Sequence, residues 1–186
     1  MEWPVLEGSR LVLTPTVPED AESLCRTVDE STFIYSLGAP TTVTVETMAA
    51  FVGGRDARLY TMRLRDTDEV VGCSSFMDIR PAHRALEIGA TWIAQPWQGT
   101  FVNPEAKLLM MRHAFETLGC VRVQLKCDAR NERSARAIAK LGAVFEGRLR
   151  KFGILSDGYI RDTLMFSVTD EEWPQVRAGL ESRLVG

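Results

Sequence analysis

Residues 85–127 read ALEIGATWIAQPWQGTFVNPEAKLLMMRHAFETLGCVRVQLKC, and the fold turns on this stretch. It opens as a strand over 85–94, broken by Gln95 and Pro96. A helix follows, with Asn103 placed to cap it and Pro104 suited to its first position. Glu105 complements the positive end of its dipole, and Gly119 closes it. Leu108, Met111, Phe115 and Leu118 fall on one stripe at helical spacing. Val121, Val123, Leu125 and Cys127 then alternate with Arg122, Gln124, Lys126 and Asp128, the pattern of a half-exposed strand. Strand, long helix and strand together permit a parallel crossover.

Working outward toward the N-terminus, residues 10–14 read as a first strand, and Pro18-Glu-Asp-Ala starts a helix with apolar Ala21, Leu24, Cys25 and Val28 on one face. A second helix is expected over 45–52, facing inward through Met48, Phe51 and Val52 and ended by Gly53-Gly54. Runs 59–65 and 69–79, separated by Asp66-Thr67-Asp68, form a hairpin, and Pro81 breaks the next connection. Toward the C-terminus, Asn131 caps a short helix carrying Ala135, Ile138 and Leu141 and stopped by Gly142. Runs 145–154 and 159–168 form a closing hairpin around Asp157-Gly158, and a last helix after Asp170 buries Trp173, Val176 and Leu180. The hairpins imply antiparallel pairing. The expected fold is therefore α+β, a central mixed, mostly antiparallel seven-stranded sheet covered by helices, in one domain spanning 1–186.

Composition sets the limits. A chain of 186 residues, 45% hydrophobic and 25% charged, has room for one buried core. A net charge of −3 argues against a nucleic-acid partner, because phosphates need clustered Lys and Arg. The basic clusters at 130–136 and 148–151 are short, and read as solvated faces unless a phosphate site lies beside them. No run approaches the ~20 apolar residues a bilayer requires, and the N-terminus lacks the features of a signal peptide, so no membrane partner is expected. Cys25, Cys73, Cys120 and Cys127 have neither metal spacing nor the density of a disulfide scaffold, and no metal is expected. A reduced, cytoplasmic protein is the resulting expectation.

The turn from Trp92 to Ala106 joins a strand end to a helix start, where exposed amides meet the positive dipole and can seat a pyrophosphate. An ordinary capped loop reads the same way locally. It is neither a Walker loop nor a dinucleotide loop.

Order and motifs together resemble the GNAT N-acetyltransferase superfamily, in the branch of the ribosomal-protein N-terminal acetyltransferases (RimJ/RimL type). The resemblance runs over nearly the whole chain, and its most specific pieces are Leu86-Glu-Ile-Gly89, Trp97-Gln-Gly-Thr100 with Asn103-Pro-Glu-Ala-Lys107, and Asn131-Glu-Arg-Ser134 with Ala137-Ile-Ala-Lys-Leu-Gly-Ala143. It implies acetyl transfer from acetyl-CoA to an amine acceptor, a peptide N-terminus or a small molecule, with a homodimer as a further possibility. It implies that the fourth and fifth strands splay and that pantetheine lies between them, bonded to the backbone of Trp92 and Ile93. The diphosphate loop corresponds to Gln98, Gly99, Thr100, Phe101, Val102 and Asn103, with Asn131 bonding the cofactor arm. Phe101 and Asn103 depart from the loop's Gly and Gly/Ala positions, and Pro104 has no N–H to donate.

Attack of an amine on a thioester needs a base for the ammonium proton and an acid for the thiolate. Glu87 is the candidate base, through a water, set against the reading of a salt-bridged strand carboxylate. Asp78 and His83 are alternatives, and His113 reads as an ordinary helix residue. Ser134 matches the serine of the family's N-x-x-S segment and is the candidate acid, with Tyr159 and Tyr35 as other donors; a first-turn Ser bonding backbone is equally common. Phe33 to Tyr35 either line an acceptor pocket or belong to the core. The competing function is a non-catalytic acyl-CoA-binding or regulatory module of the same fold, and a longer acyl donor is a third.

Overall fold

The computed structural model describes residues 3–29, 31–53 and 58–185. The strands are β1 (Leu6–Glu7), β2 (Leu11–Pro15), β3 (Arg58–Leu64), β4 (Val70–Arg80), β5 (Ala85–Ile93), β6 (Arg122–Asp128), β7 (Val144–Ile154) and β8 (Ile160–Thr169). They form one sheet in the order β1-β2-β3-β4-β5-β6-β8-β7. Every neighbouring pair is antiparallel except β5 and β6, which the long crossover helix makes parallel. The helices are α1 (Ala21–Cys25), α2 (Val45–Gly53), α3 (Val102–Arg112), α4 (Glu132–Leu141) and α5 (Trp173–Ser182).

The architecture is the mixed sheet expected from the hairpins and the crossover, with one strand more. β1 is only two residues long, too short to show an alternation, and it is recognisable by its pairing of Leu6 with Leu13 and Glu7 with Val12. The expected fourth and fifth strands are thus β5 and β6. α1 stops at Cys25, short of Val28, after a 3₁₀ turn over Pro18–Asp20. Gly53 closes α2, and Gly54 lies outside the described residues. α3 continues into a π-helical turn, His113–Thr117, that periodicity did not reveal.

Two apolar layers clamp the sheet. On one face Leu86, Ile88, Val123, Leu125 and Phe166 pack under α3, α4 and α5. On the other, Cys73 and Trp92 pack against Ala21, Leu24, Met48 and Phe51 of α1 and α2. α3 is buried nearly all round rather than on one stripe, and it buries Glu105 and Lys107 as well. Glu105 Oε1 accepts from Ser9 Oγ at 3.1 Å and from the amides of Arg10 (2.9 Å) and Leu11 (3.3 Å), which fastens the first hairpin to the start of α3.

Two irregularities in β5 position the site. Pairing with β6 covers only Ala85–Arg122, Leu86–Val123 and Glu87–Gln124, although β5 runs on to Ile93 and β6 to Asp128. The strands part just beyond Glu87. Against β4 the register shifts between Cys73 and Ser75, so that β5 carries one extra residue, and Ala90 there adopts φ +45°. The bulge swaps faces: Leu86 and Ile88 point toward α3 before it, whereas after it Trp92 turns to α1 and α2.

Candidate active site

A cleft of about 380 Å³ opens where β5 and β6 part. Glu87, Trp92, Ile93, Gln98, Gly99, Asn103, Asn131 and Ser134, all singled out from the sequence, line it together. Thr100, Phe101 and Val102 belong to the same loop but not to the lining.

The loop between β5 and α3 begins with a 3₁₀ turn over Gln95–Trp97 and then bends at Gly99, whose φ of +77° favours glycine. A Cβ there would meet nothing within 4 Å, so the constraint is conformational rather than steric. α3 starts at Val102, two positions earlier than an Asn103 cap would give: Phe101 is the cap residue, and Thr100 Oγ1 accepts the Val102 amide at 3.3 Å. Thr100 Oγ1 in turn donates to Trp97 O at 2.7 Å. Glu105 N–H is spent on Phe101 O. The amides of Gly99, Thr100, Phe101 and Asn103 are left without an intramolecular acceptor among the described residues.

Phe101, the bulkiest departure from the loop pattern, points away from the cleft. Its ring packs edge-on against Trp97, centroids 6.0 Å apart, under the Arg10 guanidinium at 4.0 Å. The cradle is therefore open. Gln98 ties it to both sides, donating from Nε2 to Ile93 O (2.9 Å) and accepting at Oε1 from Arg133 Nη1 (2.7 Å). A phosphate group fits this donor set of free amides, a helix start and one arginine.

Of the two residues expected along pantetheine, Ile93 is the better placed. The Ala94 amide donates to Val71 O, and strand alternation then turns the Ile93 main chain away from β4, toward the gap. The Trp92 carbonyl instead lies against Gly72 of β4, and its indole Nε1 donates to Thr27 Oγ1 at 2.8 Å.

Glu87 sits on the last β5–β6 rung, only 1% exposed. Its Oε2 accepts from Lys126 Nζ at 2.8 Å and from Gln124 Nε2 at 2.9 Å. Oε1 lies toward Gly89, where a Cβ would stand 3.0 Å away, so Gly89 leaves the carboxylate its room. Glu87 is ion-paired with Lys126, as in the reading of a salt-bridged strand carboxylate, and it also lines the cleft. Asn131 caps α4, its side chain accepting from Ser134 N at 3.0 Å. Burial pushes the Cys127 thiol up, and a hydrogen bond with the Ser134 side chain draws it back. Ser134 lines the cleft from the first turn of α4.

Among the alternatives, Asp78 is exposed, in an ion pair with Arg80 and a bond from Gln124, and His83 lies in an exposed turn outside the cleft lining. Tyr35 lines the cleft while Tyr159 does not, and the Arg130 guanidinium packs over both rings. His113, which reads as an ordinary helix residue, is buried in the π-helical turn against Trp3 and Phe76.

Three cleft residues had no assigned role in the sequence reading. Arg133 belongs to a basic cluster that read as solvated and is brought to the cradle by Gln98. Lys107 reaches from α3 to Ser74 Oγ (3.1 Å) and Thr91 Oγ1 (2.7 Å), with no carboxylate in ion-pair range among the described residues; burial pulls its pKa down to about 7. Arg161 of β8 is buried in the opposite wall. A lysine two turns into a helix and an arginine in a strand give no local signal of burial.

Residues 10–144 match the family described as an acetyltransferase (GNAT) domain. The chain belongs to the GNAT acetyltransferases. Like the other members of that family it is an acyltransferase, and its fold is one whose members bind acetyl-CoA or CoA. It is 30% identical to the uncharacterized N-acetyltransferase YoaA of Bacillus subtilis, over 89% of this chain and 97% of that one. A provisionally named acetyltransferase from T. thermophilus superposes with a TM-score of 0.91 at 40% identity, over 99% of both chains. RimL, a ribosomal L7/L12 alpha-N-protein acetyltransferase in complex with coenzyme A, shares the fold with a TM-score of 0.76 at 22% identity, over 89% of this chain and 98% of that one. Among the described residues no cluster of His, Cys, Asp and Glu is arranged to hold a metal ion, and no helix is long and apolar enough to cross a membrane.

Proposed function

We propose that this GNAT protein moves an acetyl group from acetyl-CoA to a primary amine by direct attack within a ternary complex. The observation that carries the reading is the continuity between the open cradle at Gly99 to Asn103 and the gap where β5 and β6 part at Glu87. The diphosphate is held by the amides of Gly99, Thr100, Phe101 and Asn103 with Arg133 beside them, and the cofactor arm by Asn131 and the main chain of Ile93. Val102, whose amide is spent on Thr100, contributes only the helix start.

Acetyl-CoA supplies the activated acyl carbon. The chain supplies proton handling on either side of it. Glu87 accepts the ammonium proton through a water, using Oε1, while Lys126 and Gln124 hold Oε2 in place. Ser134 relays a proton to the departing sulfur, its side chain on the cleft wall and its amide fixed by Asn131. The acceptor enters from the face bearing Tyr35 and Leu37 and is a peptide N-terminus, as in the ribosomal-protein relatives, or a small amine. Four cysteines, too few for a disulfide scaffold, favour a reducing compartment. Exposed Phe145, Leu149 and Ile154 on the edge strand β7 favour a homodimer built through that edge.

Calorimetry with CoA followed by thiol release over a panel of amines tests the reading. CoA binding with turnover of at least one amine, slowed in Glu87→Gln, is expected. Binding with no turnover of any amine points instead to the non-catalytic module.

A further inference from the structure

We propose that Arg161 binds a carboxylate of the acceptor, so that the amine to be acetylated belongs to a small amino-carboxylic acid. The inference deepens the acetyl-transfer reading and rests on it.

Arg161 is only 5% exposed yet lines the cleft. Nε donates to Thr163 Oγ1 at 3.0 Å, and Nη1 to Tyr35 O at 2.8 Å. Nη2 has no acceptor among the described residues, and no carboxylate stands within ion-pair distance of the guanidinium. Burial pulls the guanidinium below its ordinary range, and the nearby Asp128 and Glu87 carboxylates, neither in ion-pair contact with it, only partly offset this. A buried charge that the fold leaves unpaired is costly unless something else completes it.

The neighbouring acids are already committed. Asp128 gives Oδ1 to Arg130 Nε (3.1 Å) and to the Arg130 amide (2.9 Å), and Oδ2 to Arg130 Nη2 (2.8 Å). Glu87 gives Oε2 to Lys126 and Gln124. Each of these two carboxylates thus has its own cation, and Arg161 has no carboxylate in ion-pair contact among the described residues. It also lies on the far side of the sheet from the cradle. Arg161 and Thr163 alternate with Leu164 and Phe166, which pack under the α3 and α4 side, and Arg161 reaches the loop at Tyr35 instead. The cofactor phosphates, seated at the start of α3, belong to the other face. The planar guanidinium suits the two oxygens of a carboxylate. A peptide N-terminus carries an amide carbonyl in place of that carboxylate and offers Arg161 no charge.

The test is calorimetric titration of the CoA-loaded protein with N-acetyl-L-leucine and with N-acetyl-L-leucinamide, which differ only in the carboxylate. The acid should bind roughly 10- to 100-fold more tightly, the span expected when a buried charged donor loses its anionic partner. Arg161→Gln should erase that preference while leaving CoA affinity unchanged. Arg161→Lys, which keeps the charge without the fork, should retain part of it and serves if the glutamine variant does not fold. Equal affinity of the wild type for acid and amide, a preference for the amide, binding of neither, or a preference that survives in Arg161→Gln overturns the proposal. Failure of CoA itself to bind sinks the acetyl-transfer reading instead, and the two failures are told apart by the CoA titration that precedes the comparison.

Discussion

Lys126 Nζ stands 2.8 Å from Glu87 Oε2, reaching back from two residues beyond the last rung before β5 and β6 part. This pair fixes the carboxylate at the point where the sheet opens. A glutamine at position 87 preserves the shape and the partners' geometry but cannot take a proton. Glu87→Gln is expected to lower kcat about 100-fold, the usual contribution of a general base, with CoA affinity unchanged. Equal loss of CoA binding would mark Glu87 as structural.

Gly99 adopts φ +77° with open space where a Cβ would go. Gly99→Val therefore acts through backbone strain and the cradle's shape, not through a clash. A stability loss of about 1–2 kcal/mol in urea denaturation is expected from the left-handed conformation. CoA affinity should fall by roughly tenfold or more as the neighbouring amides shift. Unchanged affinity would mean that the phosphates are held elsewhere.

Glu105 gathers three donors from the first hairpin at Oε1. Glu105→Ala leaves the amide of fully buried Leu11 without that acceptor. A loss of about 2–3 kcal/mol is expected in chemical denaturation, because an orphaned buried donor costs more than a hydrogen bond contributes.

Lys107 gives a pH dependence of definite sign. Burial lowers its folded pKa to about 7 from an ordinary value of 10.5. Between those values the unfolded chain binds the proton and the folded one does not, so this group makes stability rise with pH across that window. Below it the lysine is charged in both states and its burial penalty is complete. Lys107→Met, with Ser74 and Thr91 still bonded to each other at 2.8 Å, should exceed the wild type most at low pH. Urea midpoints at about pH 6 and about pH 9.5 should show that advantage shrinking as pH rises. A constant difference would mean that the lysine keeps its ordinary pKa.

Much of this was legible because local chemistry and global fold agree. Asn131 and Gly142 mark both ends of α4, and Asp66 to Asp68 and Asp157-Gly158 mark two hairpins, since caps and turns are written in single residues. The start of α3 lies two residues earlier than an Asn103 cap implies because a threonine hydroxyl at 100 takes the Val102 amide, and spacing alone does not choose between the two. The bulge at Ala90 left no trace, for alanine carries no mark of a positive φ. Nor did the roles of Lys107 and Arg161: a charged side chain reads as solvated until the tertiary fold buries it.

The central claim is that residues from Gly99 to Asn103 grip the diphosphate of CoA through main-chain amides. Amide hydrogen exchange over peptides covering 98–103, with and without CoA, measures this directly. Strong slowing of exchange at these amides on adding CoA is the expected result, together with slowing at the Ile93 end of β5. CoA that binds yet leaves the exchange of 98–103 unchanged would contradict the account.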